Sequence, residues 1–358
     1  MKIIHTSDIH LDSPLTSRLT EGKVKERRRE LLLGFRRLFQ SAAKLGAEAI
    51  IIAGDLFDSG KISKRALDTA LDIIESNPHI SVYYLPGNHE GDALSESGRA
   101  LPKNLMIFGK DWTYYTLGNV TIAGRSEIKA NMFASLDLPE VSGGNIVVLH
   151  GELREKTASP ESIGLADAAE KRIDYMALGH YHSYSKTAID DRAIAVYSGT
   201  PEGRGFDEAG DKGFVVIDAD GRRLRHSFVK LAGRQLHIIP LDLTGILRTT
   251  DIAERARRDL SAIPYSDLVR LELTGKYSPE LWKDTEGLKK EFYDRFYYFE
   301  IKDSSRPAIN PDDYKFDKSL KGEFIRTVNE DKTLDEVTKE KIIMCGINAL
   351  MGEELFEA

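Results

Sequence analysis

Cysteine is almost missing from this chain: Cys345 is the single one in 358 residues. No intrachain disulfide can form, and a reducing compartment is expected. Long apolar runs are missing too. Nothing approaches the ~20 residues of a membrane span, and the opening MKIIHTSDIH has no apolar segment of signal-peptide length. A soluble cytoplasmic protein with no membrane partner is therefore expected. Positive charge is in deficit, with 50 Lys and Arg against 57 Asp and Glu, a net of −7. That excludes a surface uniformly built for polyanions, but not a local basic groove. Repeats and low-complexity tracts are absent, and 41% hydrophobic with 30% charged residues is the balance of a folded chain. The length exceeds that of most single cores, so two domains with an appendage are expected.

What the chain does have is a run, Ala47 to Gly60, around which the rest can be placed. Ile50 to Ala53 reads as a fully buried strand of the parallel kind. It stops at Gly54 and delivers Asp55 to its C-terminal end, where α/β sheets bind ligands. Lys2 to Thr6 reads as a first strand and Ser81 to Leu85 as a third. Helices are expected between them, over Gly22–Leu45 with Leu31, Phe35, Leu38 and Ala42 on one face, and over Ser63–Asn77. The charged start of the first helix, KVKERRRE, reads as a solvated face.

Beyond Leu105 short strands dominate (LMIFG, VTIAG, NIVVLHG, DYMALGH, AIAVYSG), with one helix expected over Pro160–Lys171 and a hairpin about Gly221. Two sheets with helices on their outer faces accommodate them. Around Gly233 the pattern restarts as a βαβαβ unit, with helices over Thr250–Leu260 and Pro279–Phe292. A polar linker is expected from Lys302, then helices over Ser319–Asn329 and Leu334–Met351. Their apolar faces (Leu320, Phe324, Val328; Val337, Ile342, Ile343, Ile347, Leu350) are too small to fold alone and must dock on the body or on a partner.

Five of the nine histidines follow predicted strands in polar company: Asp8-x-His10, Gly54-Asp55, Gly87-Asn88-His89-Glu90, His150-Gly151 and Gly179-His180-x-His182. Taken singly, Asp8 or Asp55 reads as a cap and His150 as a hydrogen-bonded core residue. Two histidines at i, i+2 also occur by chance. Together, imidazole, carboxylate and amide oxygen suit Mn²⁺, Fe²⁺ or Zn²⁺. The other histidines, His5, His79, His226 and His237, read as structural or surface residues. Asp12 and Asp58 read as supporting residues or caps rather than ligands.

These five elements resemble those of the calcineurin-like metallophosphoesterases, whose pattern is DxH, GD, GNH, H and GHxH, over about residues 1–232. The wording SDIHLD, AGDLFD, LPGNHE, LHGE and GHYH, with Tyr197 to Gly213, is most similar to the bacterial DNA repair exonuclease group, SbcD-like and YhaO-like. Glu90 departs from the Asp found in many nuclease members. The resemblance implies an α/β protein, a two-sheet α/β/β/α sandwich with a small α+β cap and C-terminal helices. Its domains would be 1–232 (metallophosphoesterase, nuclease), 233–302 (cap, DNA contact) and 303–358 (linker and helices for partner docking).

It further implies two divalent ions, Mn²⁺ first with Fe²⁺ or Zn²⁺ as alternatives. One would be held by Asp8, His10, Asp55 and His182, the other by Asp55, Asn88, His150 and His180. His89 would act at the scissile phosphate. Two cations ~3.5–4 Å apart can activate a bridging water and stabilise the displaced oxygen of a phosphodiester. The expected activity is a Mn²⁺-dependent 3′→5′ exonuclease on double-stranded DNA, with an SbcC-like coiled-coil ATPase as partner. Whether the cap forms a homodimer is left open. Basic residues Arg204, Arg234, Arg255, Arg257, Arg258, Lys276, Lys289 and Lys290 are candidates for phosphate contacts, though each alone reads as ordinary surface charge. A metallophosphoesterase for a small phosphodiester or phosphomonoester is one alternative. A non-catalytic, metal-stabilised DNA-binding or assembly subunit is another, though a degenerate scaffold would be expected to lose ligands that this chain keeps.

Overall fold

Strands with apolar residues on both faces need covering on both sides, and that requirement organises the N-terminal part of the molecule. The computed structural model describes residues 1–15, 19–58, 62–87, 94, 98–156, 159, 162–219, 224–278 and 280–351. The chain divides into two compact units, 1–236 and 237–358.

In the first unit the strands are β1 (Lys2–Thr6), β2 (Ala49–Ala53), β3 (Ser81–Leu85), β4 (Leu105–Ile107), β5 (Thr113–Leu117), β6 (Val120–Gly124), β7 (Asn145–His150), β8 (Glu152–Arg154), β9 (Ser162–Gly164), β10 (Tyr175–Gly179), β11 (Ser185–Ala188), β12 (Ile194–Tyr197), β13 (Gly213–Asp218) and β14 (Arg225–Lys230). Two six-stranded mixed sheets result, ordered β14-β13-β1-β2-β3-β4 and β11-β12-β10-β7-β6-β5. Strands β1 to β4 run parallel, as do β6, β7, β10 and β12. Parallel strands put all their C-terminal ends at one edge, and the polar motifs follow those ends.

Strict alternation decides which residue faces which layer. Ile50 and Ile52 of β2 join the core under the helices α1 (Glu21–Leu45) and α2 (Lys64–Glu75). Ala49, Ile51 and Ala53 face the second sheet, meeting Ile146, Val148, Tyr175 and Ala177. The second sheet's other face packs Val147, Leu149, Met176 and Leu178 against Met132, Phe133, Ile163 and Ala168. The protein is thus a mixed α/β sandwich of two large sheets.

Helix α1 buries Leu31, Phe35, Leu38 and Ala42, as its periodicity predicts. Its charged start is not wholly solvated, because Arg27 is 1% exposed, pairs with Glu30, and donates to Gly203 O at 2.5 Å. Asp12 accepts from Ser63 N at 2.9 Å, and Ser63 in turn caps α2. The helix expected over Pro160–Lys171 is instead strand β9, paired in parallel with β8, and a single turn, α3 (Leu165–Ala168). Pairing with Glu152–Arg154 overrides a local helical preference, and Ala169 is extended, which ends the turn. The hairpin forms with Gly213↔Lys230 through Asp218↔Arg225, its tip outside the described residues.

The second unit holds a three-stranded sheet of β15 (Leu236–Asp242), β16 (Leu268–Thr274) and β18 (Tyr298–Asp303), in the order β15-β16-β18. Between them fall β17 (Lys276–Tyr277) and the helices α4 (Thr249–Asp259) and α5 (Thr285–Phe292). Strand β19 (Arg306–Pro307) then pairs with β17. The core is Leu241, Ile252, Ala256, Val269, Leu271, Leu288, Phe292 and neighbours. Helix α5 starts later than the expected Pro279, because Asp284, in a left-handed conformation, caps it by accepting from Gly287 N. Part of the expected linker is strand, since Lys302 and Asp303 belong to β18 and residues 306–307 to β19.

Helices α6 (Leu320–Glu330) and α7 (Glu336–Met351) share a small cluster of Ile325, Val328, Ile343 and Ile347. Leu320, Val337 and Leu350, expected on their apolar faces, are exposed. No described helix is long and apolar enough to cross a membrane.

Candidate metal centre

Beyond β1 and β2 the two chains stay side by side after the sheet hydrogen bonding ends. Asp8 N donates to Gly54 O at 3.1 Å, His10 N to Asp55 O at 3.0 Å and Leu11 N to Leu56 O at 2.9 Å. This zipped pair of loops forces Asp8 (φ 51°), His10 (φ 48°) and Asp55 (φ 51°) into the left-handed region, and His180 stands at φ 108°. Such conformations cost non-glycine residues of order 1–3 kcal/mol each and concentrate at functional sites. Glycines supply the remaining room. A Cβ on Gly54 would lie 2.0 Å from His150 Nδ1, and one on Gly179 would lie 1.9 Å from Ala53 O.

Two groups of converging donors result, Asp8 with His10 and His182, and Asp8 with Asp55 and His150, each with its ligand atoms within 4.8 Å of one another. Asp8, His10, Asp55 and His150 are buried. Asp55 Oδ2 lies 3.4 Å from His150 Nε2 and 3.8 Å from His10 Nε2, so one oxygen faces an imidazole of each group. The Nε2 atoms of His10 and His182 face each other at 3.3 Å, with Asp8 Oδ1 3.8 Å from the latter. Asp8 also accepts from His180 N at 3.0 and 3.1 Å and from the Ser7 hydroxyl at 2.5 Å. The His180 ring stands edge-on to His150 at 5.6 Å, adjoining both groups without being counted in either. Asn88, His89 and Glu90 lie outside the described residues.

A backbone carbonyl fixes the tautomer of His150. His150 Nδ1 donates to Ala53 O at 2.9 Å, leaving Nε2 to the site. His182 Nδ1 lies 2.7 Å from Glu208 Oε1 and 3.3 Å from Arg204 Nη2. His10 Nδ1 lies 3.2 Å from Asp58 Oδ1, a charge contact outside hydrogen-bonding geometry. Histidine ligands are typically oriented in this way by a carboxylate or carbonyl. A donor set of two carboxylates and imidazoles without thiolate fits divalent Mn, Fe or Zn, so these residues suit a metal pair.

Burial works against a charged His150, but the hydrogen bond and charge of Asp55, with Asp8, outweigh it and raise its pKa to about 9. Burial likewise opposes charge on His182, and Glu208 and Asp8 overcome it, so its pKa is raised. Glu208 is pushed up by burial but pulled down further by His182 and Arg204, to about 2. Metal ligation needs neutral imidazole. Below about pH 9 the metal-free protein holds a proton on His150 that the ion must displace. Metal loading near pH 7.5 is therefore expected to release about one proton or more, with affinity falling as pH falls. Calorimetry in buffers of different ionisation enthalpy measures this, and zero proton release would contradict it.

Glu208 and Arg204 are the residues whose roles sequence reasoning missed. The segment Tyr197–Gly213 carried part of the family resemblance, but nothing in it signalled that Glu208 would reach a histidine. Arg204 is committed to Asp58 at 2.7 Å and to Glu208 at 2.7 Å. Arg234 binds Glu30 and Glu26, Arg257 binds Glu291 through two hydrogen bonds, and Arg255 and Arg258 approach Asp259. Lys276, Lys289 and Lys290 are exposed.

Residues 1–211 match the family of calcineurin-like phosphoesterases. The chain belongs to that family. Among its relatives is the uncharacterised metallophosphoesterase YhaO of Bacillus subtilis, 24% identical over 82% of this chain and 76% of that one. The DNA double-strand break repair protein Mre11 of Methanosarcina acetivorans is 26% identical over 77% of this chain. This chain spans about half of that protein, 46% of its length. The SbcD component of the nuclease SbcCD of Staphylococcus epidermidis is 25% identical over 69% of this chain and 74% of its own. As a calcineurin-like phosphoesterase the protein is a hydrolase of phosphoesters, and the family is dinuclear and metal-dependent.

Proposed function

We propose that this calcineurin-like phosphoesterase is a DNA nuclease, a Mn²⁺-dependent 3′→5′ exonuclease on duplex DNA that works with an SbcC-like coiled-coil ATPase. The observation that carries the reading is the pairing of a two-group donor site with relatives named as a DNA double-strand break repair protein and as a nuclease subunit. The presence of a second unit, residues 237–358, adds support, since hydrolysis of a small ester gives it no obvious task.

Asp8, His10 and His182 would hold one ion, and Asn88, His150 and His180 the other, with Asp55 shared. Bound ions of this kind supply Lewis acidity toward phosphoryl oxygens and a lowered pKa for water. The chain's own residues do the rest. Burial of Asp8 and Asp55 keeps the carboxylates from being solvated. Ala53 O and Glu208 orient the imidazoles of His150 and His182, and the Asp58 carboxylate faces that of His10. His89, two residues beyond Gly87, would stabilise charge on the scissile phosphate or protonate the leaving oxygen.

Duplex DNA labelled at the 5′ end and incubated with Mn²⁺ should give a ladder of shortened strands. A small chromogenic phosphodiester should be hydrolysed in parallel. Intact DNA beside active ester turnover would remove the nuclease reading. Turnover of neither, with metal bound, would favour a scaffold. Leu320, Val337 and Leu350 on α6 and α7 are exposed, and the ATPase would dock on these helices. Deleting residues 319–358 is expected to abolish ATPase binding while sparing ester hydrolysis, and a pull-down with undiminished binding would refute that docking site.

A further inference from the structure

The two donor groups are oriented by different devices. His150 is aimed by a backbone carbonyl, Ala53 O, at 2.9 Å. His182 is aimed by a side-chain carboxylate, Glu208 at 2.7 Å, and the Asp58 carboxylate lies beside His10 Nδ1 at 3.2 Å. A side-chain carboxylate has rotational freedom that a strand carbonyl lacks, so it aims an imidazole only if something fixes the carboxylate.

Arg204 does so for both at once. Its Nη1 donates to Asp58 Oδ1 at 2.7 Å, and its Nε donates to Glu208 Oε1 at 2.9 Å. Its backbone N–H donates to Glu208 Oε2 at 2.7 Å. Arg204 thus ties Glu208, and His182 behind it, to Asp58, which lies 3.2 Å from His10 Nδ1. Its Nη2 also lies 3.3 Å from His182 Nδ1, and the Nε2 atoms of the two histidines face each other at 3.3 Å. The loop is tied from a second direction, since the buried Lys212 donates to His182 O at 2.7 Å.

We propose that Arg204 is a positioning residue that sets the affinity of one of the two metal sites, the one formed by Asp8, His10 and His182, independently of the other. The inference rests on the metal assignment given above. It also removes Arg204 from the phosphate contacts, because a phosphate would have to displace two carboxylates from one guanidinium. Lysine cannot substitute. A point charge reaches one carboxylate at a time, whereas the planar fork of arginine reaches both in fixed directions.

The test is Mn²⁺ titration of the full chain, by calorimetry and electron paramagnetic resonance, with the wild type, Arg204→Met, Arg204→Lys and the double variant Arg204→Met/Glu208→Gln. The double variant keeps the experiment informative if Glu208, left charged and buried, prevents folding of the single one. Loss of an orienting partner weakens a metal about 10–100-fold. That loss is expected for one ion only in the Arg204 variants, with the second ion within about threefold of wild type. On a small chromogenic phosphodiester at fixed Mn²⁺, kcat should fall with KM little changed, and excess Mn²⁺ should restore kcat. Two ions bound at wild-type affinity, with weakened duplex binding, would overturn the proposal and return Arg204 to the phosphate contacts. Equal weakening of both ions would overturn it in favour of a general packing role. A wild-type chain that takes up fewer than two ions would instead overturn the metal assignment itself.

Discussion

Asp55→Asn is expected to lower phosphoester turnover by roughly 10³-fold or more and to weaken both metal ions together, since in the proposed assignment one carboxylate serves both. The expectation comes from position: Asp55 Oδ2 faces His150 Nε2 at 3.4 Å and His10 Nε2 at 3.8 Å. Asparagine keeps the shape and one acceptor oxygen but removes the charge that a shared ligand must supply. The backbone should tolerate the change, because asparagine accepts the left-handed conformation that Asp55 adopts at φ 51°. Calorimetric titration with Mn²⁺ checks it. Loss of one ion with the other at full affinity would show that Asp55 is not shared. Asp8, which belongs to both donor groups, would then become the candidate.

His89→Ala is expected to behave in the opposite way, retaining both ions and losing turnover by about 10²–10⁴-fold, the usual range for a positioned acid–base group. His89 follows Gly87, a position where a Cβ would lie 1.9 Å from Asp55 Oδ1, so the chain at Gly87 passes directly over the shared carboxylate. In the proposed assignment His89 acts on the phosphate and is not a ligand. Single-turnover kinetics at saturating Mn²⁺ separates the two roles. Metal loss equal to that in Asp55→Asn would show that His89 is a ligand.

The sandwich was legible because its inner strands are apolar on both faces. Ile50 to Ala53 could be placed only in a covered parallel sheet, and the alternation that sends Ile51 inward and Ile52 toward α1 follows from the strand repeat. Helices α1 and α2 were legible from their periodicity for the same reason. Where the sequence misled, tertiary pairing won: Ser162–Gly164 is a strand because β8 is there to receive it. Asp284 stops α5 from beginning earlier because its side chain caps Gly287.

At the site, the strand-end motifs marked Asp8, His10, Asp55, His150 and His182, and the structure brings those five together. The supporting residues were far less visible. Glu208 approaches His182 across a turn of 3-10 helix, and Arg204 reaches back to Asp58 across 146 positions. Contacts of that range leave no local spacing to read. A basic residue near a phosphate site invites the reading of a phosphate contact, and for Arg204 only the geometry redirects it to two carboxylates.

The central claim is that one buried carboxylate lets this chain hold two metal ions side by side. Counting Mn²⁺ bound per chain at saturation, with the electron paramagnetic resonance spectrum recorded at each step, tests it most directly. The account predicts two ions per chain, with the isolated-ion signal lost to spin coupling as the second binds. A single uncoupled Mn²⁺ at saturation would contradict it.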